Sequence, residues 1–144
     1  MTQAQKGFDI ASLAVDSAPV TFDVPVIVDA DGNPVSGFKI VGRNSQEYRA
    51  ADRAVRIVNQ KAAANRTKAI DMKTDAGAEK IVEIVDGQNM ARAEAVVVGW
   101  FGFENGGEPV PFDAQIAHNA LVKYPTWVEK ILIALAEDNN FLAV

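Results

Sequence analysis

The chain contains no cysteine and a single histidine, His118. The lack of cysteine excludes disulfides and thiolate chemistry. A metal site at His118 would need further ligands nearby, yet Gln115, Asn119 and Lys123 are poor ones, so we expect a surface or packed structural histidine. No G-x-S-x-G, Walker or dinucleotide glycine pattern is present either. The sequence therefore predicts no catalytic residue, no metal and no cofactor, and we expect that the protein is not an enzyme.

Long hydrophobic runs are also lacking. The longest, such as residues 95–98, are far too short to span a bilayer. Polar residues 1–7 are not followed by the apolar segment of a signal peptide. The absence of cysteine is compatible with a reducing cytosol. We therefore expect one cytoplasmic domain, residues 1–144, with no membrane partner.

Charge of either sign is unevenly distributed along the chain. The net charge is −5, yet residues 43–80 hold nine Lys/Arg against five Asp/Glu. This mildly basic stretch is typical of a solvated helix face. Because acidic segments flank it on both sides, nucleic acid is an unlikely partner.

Residues 20–41 show the pattern of a β-hairpin that follows a mobile arm, residues 1–19. Pro25 cannot donate to a ladder, which predicts an edge strand, and residues 29–34 are rich in turn formers. A lone hairpin is marginal in water, so it must pack on another element or join a small sheet, from this chain or another copy. Alternate residues of the first strand share an apolar face: Val20, Phe22, Val24, Val26 and Val28.

Residues 45–98 show the spacing of two long helices. Asn44 or Ser45 can cap the first, with Glu47 placed as in a capping box, and we expect it to cover residues 45–73. A break at residues 73–77 precedes the second helix, which we expect to end near Val98. Facing apolar seams predict an antiparallel helical hairpin. The first seam consists of Tyr48, Ala51, Val55, Val58 and Ala62.

Residues 99–144 contain an aromatic loop and two short helices. Asp113 is a good cap for a helix that runs to Lys123. Residues 126–129 form a second capping box, which predicts a helix to about Asp138. Their apolar stripes are Ile116, Ala120 and Leu121, then Val128, Ile131, Leu132 and Leu135. The fold class is therefore α+β, with an N-terminal β-hairpin, a long helical hairpin and two short C-terminal helices.

The aromatic loop allows two interpretations. It can close over the core, with Trp100 and Phe103 turned inward, a turn at residues 106–107, and Phe112 stapled beside the Asp113 cap. Alternatively some rings stay partly exposed as anchors for a partner protein, because aromatic residues are enriched at binding hot spots. The candidate partner-binding residues are Trp100, Phe101, Phe103, Pro109, Phe112, Tyr124 and Trp127.

Several short motifs carry a resemblance to a known family. They are V-G-W-F-G at residues 98–102, N-G-G-E-P-V-P-F at 105–112, N-A-L at 119–121 and Y-P at 124–125. Together with the G-R-N-S-Q-E-Y-R segment at 42–49, this pattern resembles the tail assembly chaperones of long-tailed bacteriophages. The resemblance covers roughly residues 20–141.

The resemblance implies a function that fits the composition. Such chaperones bind the tape measure protein in the host cell cytoplasm, keep its apolar helices soluble and help to recruit tail tube protein, without a cofactor. Alanine-rich seams and an aromatic loop are suitable surfaces for an apolar helical client. Self-association into a homo-oligomer is left open. One departure is the β-hairpin, since the family is often described as largely helical.

Two alternatives remain. A structural virion protein of the tail or head–tail connector is indicated by the hairpin with its proline-marked edge. An enzyme that uses carboxylates would require a deep pocket with two mutually perturbed acids.

Overall fold

The computed structural model describes residues 7–14, 18–65 and 70–142. Much of the expected arm, and residues 66–69 of the expected first helix, lie outside these ranges. Short 3-10 helices cover Ile10–Leu13 and Asp138–Phe141. The main elements, in chain order, are β1 (Phe22–Val28), β2 (Pro34–Ile40), α1 (Gln46–Ala64), α2 (Asp75–Val96), β3 (Val97–Phe101), β4 (Glu104–Asn105), β5 (Glu108–Pro109), α3 (Ala114–Lys123) and α4 (Pro125–Leu135). The α+β prediction is confirmed.

The predicted β-hairpin belongs to a three-stranded antiparallel sheet with the order β1-β2-β3. The third strand, Val97–Phe101, follows α2 without a loop and pairs with β2, so that Trp100 lies opposite Phe38. The predicted helix end and loop at these residues are therefore wrong. The β-branched pair Val97 and Val98 suits a strand, and β2 offers the unpaired edge that such a strand needs.

Strand β1 is an edge strand, as Pro25 predicted. Register shifts beside Ile27 mark bulges, which protect the edge from further pairing. The bulges also end the predicted alternation: Val24 is buried, whereas Val28 is 55% exposed. The turn before β2 is held by Asp29, whose carboxylate accepts the Asp31 and Asn33 N–H groups at 2.9 and 2.8 Å.

Helices α1 and α2 form the predicted antiparallel hairpin between β2 and β3. Asp52 Oδ1 lies 3.2 Å from the Arg92 guanidinium, and the Gln88 amide donates to Asn59 Oδ1 at 2.8 Å. At the sheet end, the Val41 N–H donates to the Val96 carbonyl at 3.0 Å. The two ends of the helical hairpin therefore leave the sheet side by side.

The helix boundaries differ in part from the prediction. The Ser45 hydroxyl caps α1 by accepting the Tyr48 N–H at 3.1 Å, as one of the two expected caps. The helix ends at Ala64 rather than near Lys73. Thr74 then caps α2, because its hydroxyl accepts the Gly77 N–H at 3.0 Å. The predicted break at residues 73–77 is therefore too late, and the second helix already begins at Asp75.

The core lies between one face of the sheet, the C-terminal part of α2, and helices α3 and α4. Its buried members are Val24, Phe38, Ile40, Val41, Ala93, Val96, Ala117, Leu121, Ile131 and Leu135. We call this half of the molecule, with the three-stranded sheet, α3, α4 and residues 89–96, the sheet body. We call residues 57–64 and 70–87 the distal hairpin.

The C-terminal helices confirm one predicted cap and overturn the other. Asp113 accepts the Gln115 and Ile116 N–H groups at 2.9 and 3.1 Å. Ile116 itself is 49% exposed, and Ala117 is buried in its place. Thr126 is not a cap, because α4 begins at Pro125, where a missing N–H costs nothing. This helix also ends at Leu135, short of the expected Asp138.

In the described parts of the chain, no helix combines the length and hydropathy that a bilayer crossing requires.

Candidate functional site

Six aromatic rings from four segments pack together over one end of the core. Phe103 is central: its ring centroid lies 5.4 Å from that of Phe38, 5.1 Å from that of Trp100 and 6.3 Å from that of Trp127. Tyr124 stacks on Trp127 at 4.4 Å, and Phe112 meets Trp100 edge-on at 5.1 Å. We call this the ring cluster: Phe38, Trp100, Phe103, Phe112, Tyr124 and Trp127.

Hydrogen bonds hold the chain around these rings. The Trp100 indole N–H donates to the Val110 carbonyl at 2.8 Å, which ties β3 to the segment before α3. The buried Ser36 hydroxyl donates to the Gly102 carbonyl at 2.8 Å. Gly102 has a φ of +75°, a conformation that favours glycine, and it turns the chain from β3 back towards the core. These two hydrogen bonds therefore fix the backbone of this segment in place.

The glycine pair of the aromatic segment forms the expected turn. Gly106 and Gly107 have φ values of +61° and +86°, and they join β4 to β5 as the tip of a two-stranded hairpin. A Cβ at either glycine would meet open space. The segment is therefore a small hairpin with its tip in solvent, rather than an irregular loop.

The ring cluster contains most of the predicted partner-binding residues, and its geometry matches the core-closing interpretation. Trp100, Phe103 and Trp127 are partly buried against the core, and Phe112 packs beside the Asp113 cap. Exposed ring area remains on Phe112 and Tyr124, which are 38% and 41% accessible.

Two of the predicted partner-binding residues lie outside the ring cluster. Phe101 points to the opposite face of the sheet, because Trp100 before it faces the core. Its ring lies over Gly37, where a Cβ would overlap it. Pro109 is exposed on β5.

Several described titratable side chains contact one another as ion pairs, and Asp52 contacts both Arg56 and Arg92. His118 Nδ1 lies 2.8 Å from Glu94 Oε1, which links α3 to α2, so the expected structural role fits its position. Among the described residues, no group of three acidic, histidine or cysteine side chains could hold a metal ion.

An open groove of about 460 Å³ lies beside the N-terminal segment. Its described lining includes Phe8, Leu13 and Phe141, and the charged residues within that lining are Arg43 and Asp138. These two pair at 2.9 Å, and the hydrogen bond from the guanidinium to Asp138 raises the pKa of Arg43. The charges therefore satisfy each other, and the groove presents mainly apolar wall.

The distal hairpin carries six exposed aliphatic or methionine side chains among the described residues. Within α1, which the structure describes in full, Val55 alone is buried. Val58, predicted in the same seam, is 59% exposed. No third described element covers this end of the hairpin. The exposed set is Ile57, Val58, Met72, Val82, Ile84 and Val85, with accessibilities of 45, 59, 66, 58, 37 and 45%.

The predicted buried seams include Val58, Ile84 and Val85, and no prediction covers Ile57 or Val82, so the sequence pattern missed this surface. A signal was available at residues 81–85, I-V-E-I-V, where aliphatics occupy more of the helix circumference than one neighbouring helix can cover.

No protein-family model, curated protein or solved structure matches the chain.

Proposed function

We propose that this protein is a phage tail assembly chaperone. In this role it binds the tape measure protein in the host cytoplasm, keeps the apolar helices of that client soluble and helps to recruit tail tube protein. The observation that carries the proposal is the exposed aliphatic surface of the distal hairpin. The protein would act by offering this surface to another chain, with no bond made or broken.

The distal hairpin has the chemistry that an amphipathic client helix requires. A helix binds a partner by laying its apolar side chains, spaced three and four residues apart, against an apolar groove or helix pair. Val58 on α1 and Ile84 and Val85 on α2 provide such contacts and remain uncovered in the free chain. Burial of apolar surface contributes roughly 25 cal/mol per Å². Weak sites repeated along a long client gain further strength through avidity.

The family-like motifs contribute to this function indirectly. Residues 98–102 form most of β3 and the turn at Gly102, and residues 105–112 form the β4–β5 hairpin and the bond from Trp100 to Val110. They hold the sheet body together, and the body carries the helical hairpin. The net charge of −5 opposes aggregation while the aliphatic surface stays exposed.

Co-expression with the tape measure protein tests the proposal. We expect the client to remain in the soluble fraction with the wild-type chain and to precipitate with the double variant Val58→Asp/Ile84→Asp. The matched control is Ile133→Asp, because Ile133 is a 74% exposed aliphatic residue on α4, outside the hairpin. A client that is equally soluble without any chaperone, or equally protected by the double variant, would contradict the proposal.

One observation favours the second candidate, a structural virion protein. Among the described strands, β3 is an edge of the three-stranded sheet, and an open strand edge can add a strand from a neighbouring subunit. Stoichiometric amounts of the protein in purified particles would favour this candidate, whereas its absence from finished particles would favour the transient chaperone.

A further inference from the structure

The outer side of α1 carries a line of positive charge. Helix α1 holds four Lys/Arg against two Asp/Glu. Positions four residues apart lie on one side of a helix, and the members of this line are all exposed. The aliphatic side chain of Ile57 lies within it. We call this line the basic stripe: Arg49, Arg53, Ile57 and Lys61.

The outer side of α2 carries the opposite charge. Five Asp/Glu and two Lys/Arg occur in this helix, and most of the acids fall at spacings of three and four residues in its distal part. Val82, 58% exposed, lies among them. We call this line the acidic stripe: Asp75, Glu79, Val82, Glu83 and Asp86, all exposed.

The two stripes cannot meet within one chain. Asp52 and Asn59 face α2, and Arg53 and Ile57 lie about half a helical turn away from them. Likewise Gln88 and Arg92 face α1, whereas Glu79 and Asp86 lie on the far side of α2. Within the described ranges, no ion pair involves a residue of either stripe. Each stripe is therefore an unpartnered line of charge around one exposed aliphatic residue.

We propose that the basic stripe of one copy binds the acidic stripe of a second copy of this chain. The lengths match: at 1.5 Å per residue, Arg53 to Lys61 spans about 12 Å and Glu79 to Asp86 about 10 Å. The contact places Ile57 near Val82, so apolar burial adds to the charge attraction. Because a net charge of −5 works against association, the local complementarity of the stripes determines where copies meet.

The positions of the stripes define the kind of assembly. They lie on opposite sides of the hairpin, so the contact is head-to-tail and leaves a free stripe at each end. Copies add further in rings or chains as concentration rises. Exposed ion pairs are individually weak and are screened by salt, so this self-association is salt-sensitive. Ile57 and Val82 belong to this contact between copies, whereas Val58 and Ile84 test client binding, so different residues test the two proposals.

A charge exchange between copies tests this proposal by sedimentation velocity. Variant A is Arg53→Glu/Lys61→Glu and variant B is Glu79→Lys/Asp86→Lys. At about 0.05 M NaCl we expect wild-type protein to sediment above its 15.5 kDa monomer mass and to approach that mass at about 0.5 M. Each variant alone should associate more than about tenfold more weakly, because like charges then face each other. An equal mixture of A and B should recover association.

The matched control is Lys123→Glu/Lys130→Glu on α3 and α4, which changes net charge as variant A does and should associate as wild type does, apart from general charge repulsion. All four substituted stripe positions are exposed, so circular dichroism should show unchanged helix content. If a reversed variant fails to fold, the neutral pair Arg53→Gln/Lys61→Gln replaces it. Wild-type protein that stays monomeric at low salt, or an A and B mixture without recovery, overturns the proposal.

Discussion

The sheet body and the distal hairpin contain similar aliphatic side chains in very different surroundings. Ile40 and Val96 in the body have no accessible surface, whereas Val58 and Val82 in the distal hairpin are 59% and 58% exposed. The difference follows from the number of layers. In the body, the sheet, α2, α3 and α4 cover one another; in the distal hairpin, two described helices have only each other. Two helices cannot cover apolar residues that point to several sides.

This contrast separates two uses of apolar surface in one chain. The ring cluster uses its rings to close the core, with hydrogen bonds that fix the surrounding backbone. The distal hairpin leaves its aliphatic residues exposed, and our proposal assigns them to contact with another chain. Substitutions that remove apolar surface should therefore affect folding in the body and binding in the hairpin.

The largest expected effect is the truncation of the most buried ring. Phe38→Ala should lower the free energy of unfolding by about 3–5 kcal/mol, because it opens a cavity beside Phe103 and Trp127. Val82→Ala in the distal hairpin should change it by less than about 0.5 kcal/mol. Urea unfolding of both variants measures the difference. Similar losses would mean that the hairpin is covered as thoroughly as the body.

Aspartate at two neighbouring positions of the predicted α1 seam should give very different losses of stability, because only the first position is buried. Val55 is 6% exposed, and Val55→Asp should cost about 3 kcal/mol because it buries an unpaired carboxylate. Val58→Asp, one turn further along, should cost under about 0.5 kcal/mol. Circular dichroism melts distinguish the two. Equal melting temperatures would contradict the observed end of the buried seam.

Alanine substitutions at two glycines of the aromatic segment should distinguish the turn that packs on the sheet from the hairpin tip that projects into solvent. Gly102→Ala should cost about 3 kcal/mol, since a Cβ there overlaps the Val35 carbonyl oxygen and φ is positive. Gly106→Ala also has positive φ but meets open space, so about 1 kcal/mol is expected. Chemical denaturation provides the measurement. A more damaging change at Gly106 would show that the tip contacts something essential.

The smallest expected effect concerns the two C-terminal helix starts. Asp113→Ala should cost about 1 kcal/mol, because two N–H groups lose their acceptor. Thr126→Ala should be nearly neutral, within about 0.5 kcal/mol, since Thr126 lies inside α4. Thermal unfolding of both variants gives the comparison. A larger loss from Thr126→Ala would restore the capping box that the sequence predicted.

Local chemistry was the predictable part of the fold. Pro25, the Asp29 turn, the Ser45 cap and the Asp113 cap each depend on a few adjacent residues, and the structure confirms all of them. Pro125 follows the end of α3 at Lys123 and also begins α4, because proline cannot continue one helix but suits the first position of the next. Both positions are compatible with proline, so the surrounding residues decide whether a second helix begins there.

The missed features depend on residues far apart in the chain. β3 forms because Trp100 can pair opposite Phe38, and the apolar run before it fits a helix stripe equally well from sequence alone. The ring cluster was foreseen in part: Phe38 joins it from another strand, and Phe101 leaves it by facing the other side. The exposed distal hairpin depends on where the other elements stop, and the I-V-E-I-V run at residues 81–85 is only a partial local signal of it.

The bond from the Val41 N–H to the Val96 carbonyl has a consequence for the architecture. The chain leaves the sheet at Val41 and returns to it beside the same point at Val96. The 19 residues of α1 give the helical hairpin a length of about 28 Å. Removing or adding matching turns in both helices would change that length by about 5 Å per turn and leave the ten-residue core set untouched. The sheet body is thus a fixed base, and the helical hairpin is a spacer whose length can change without altering that base.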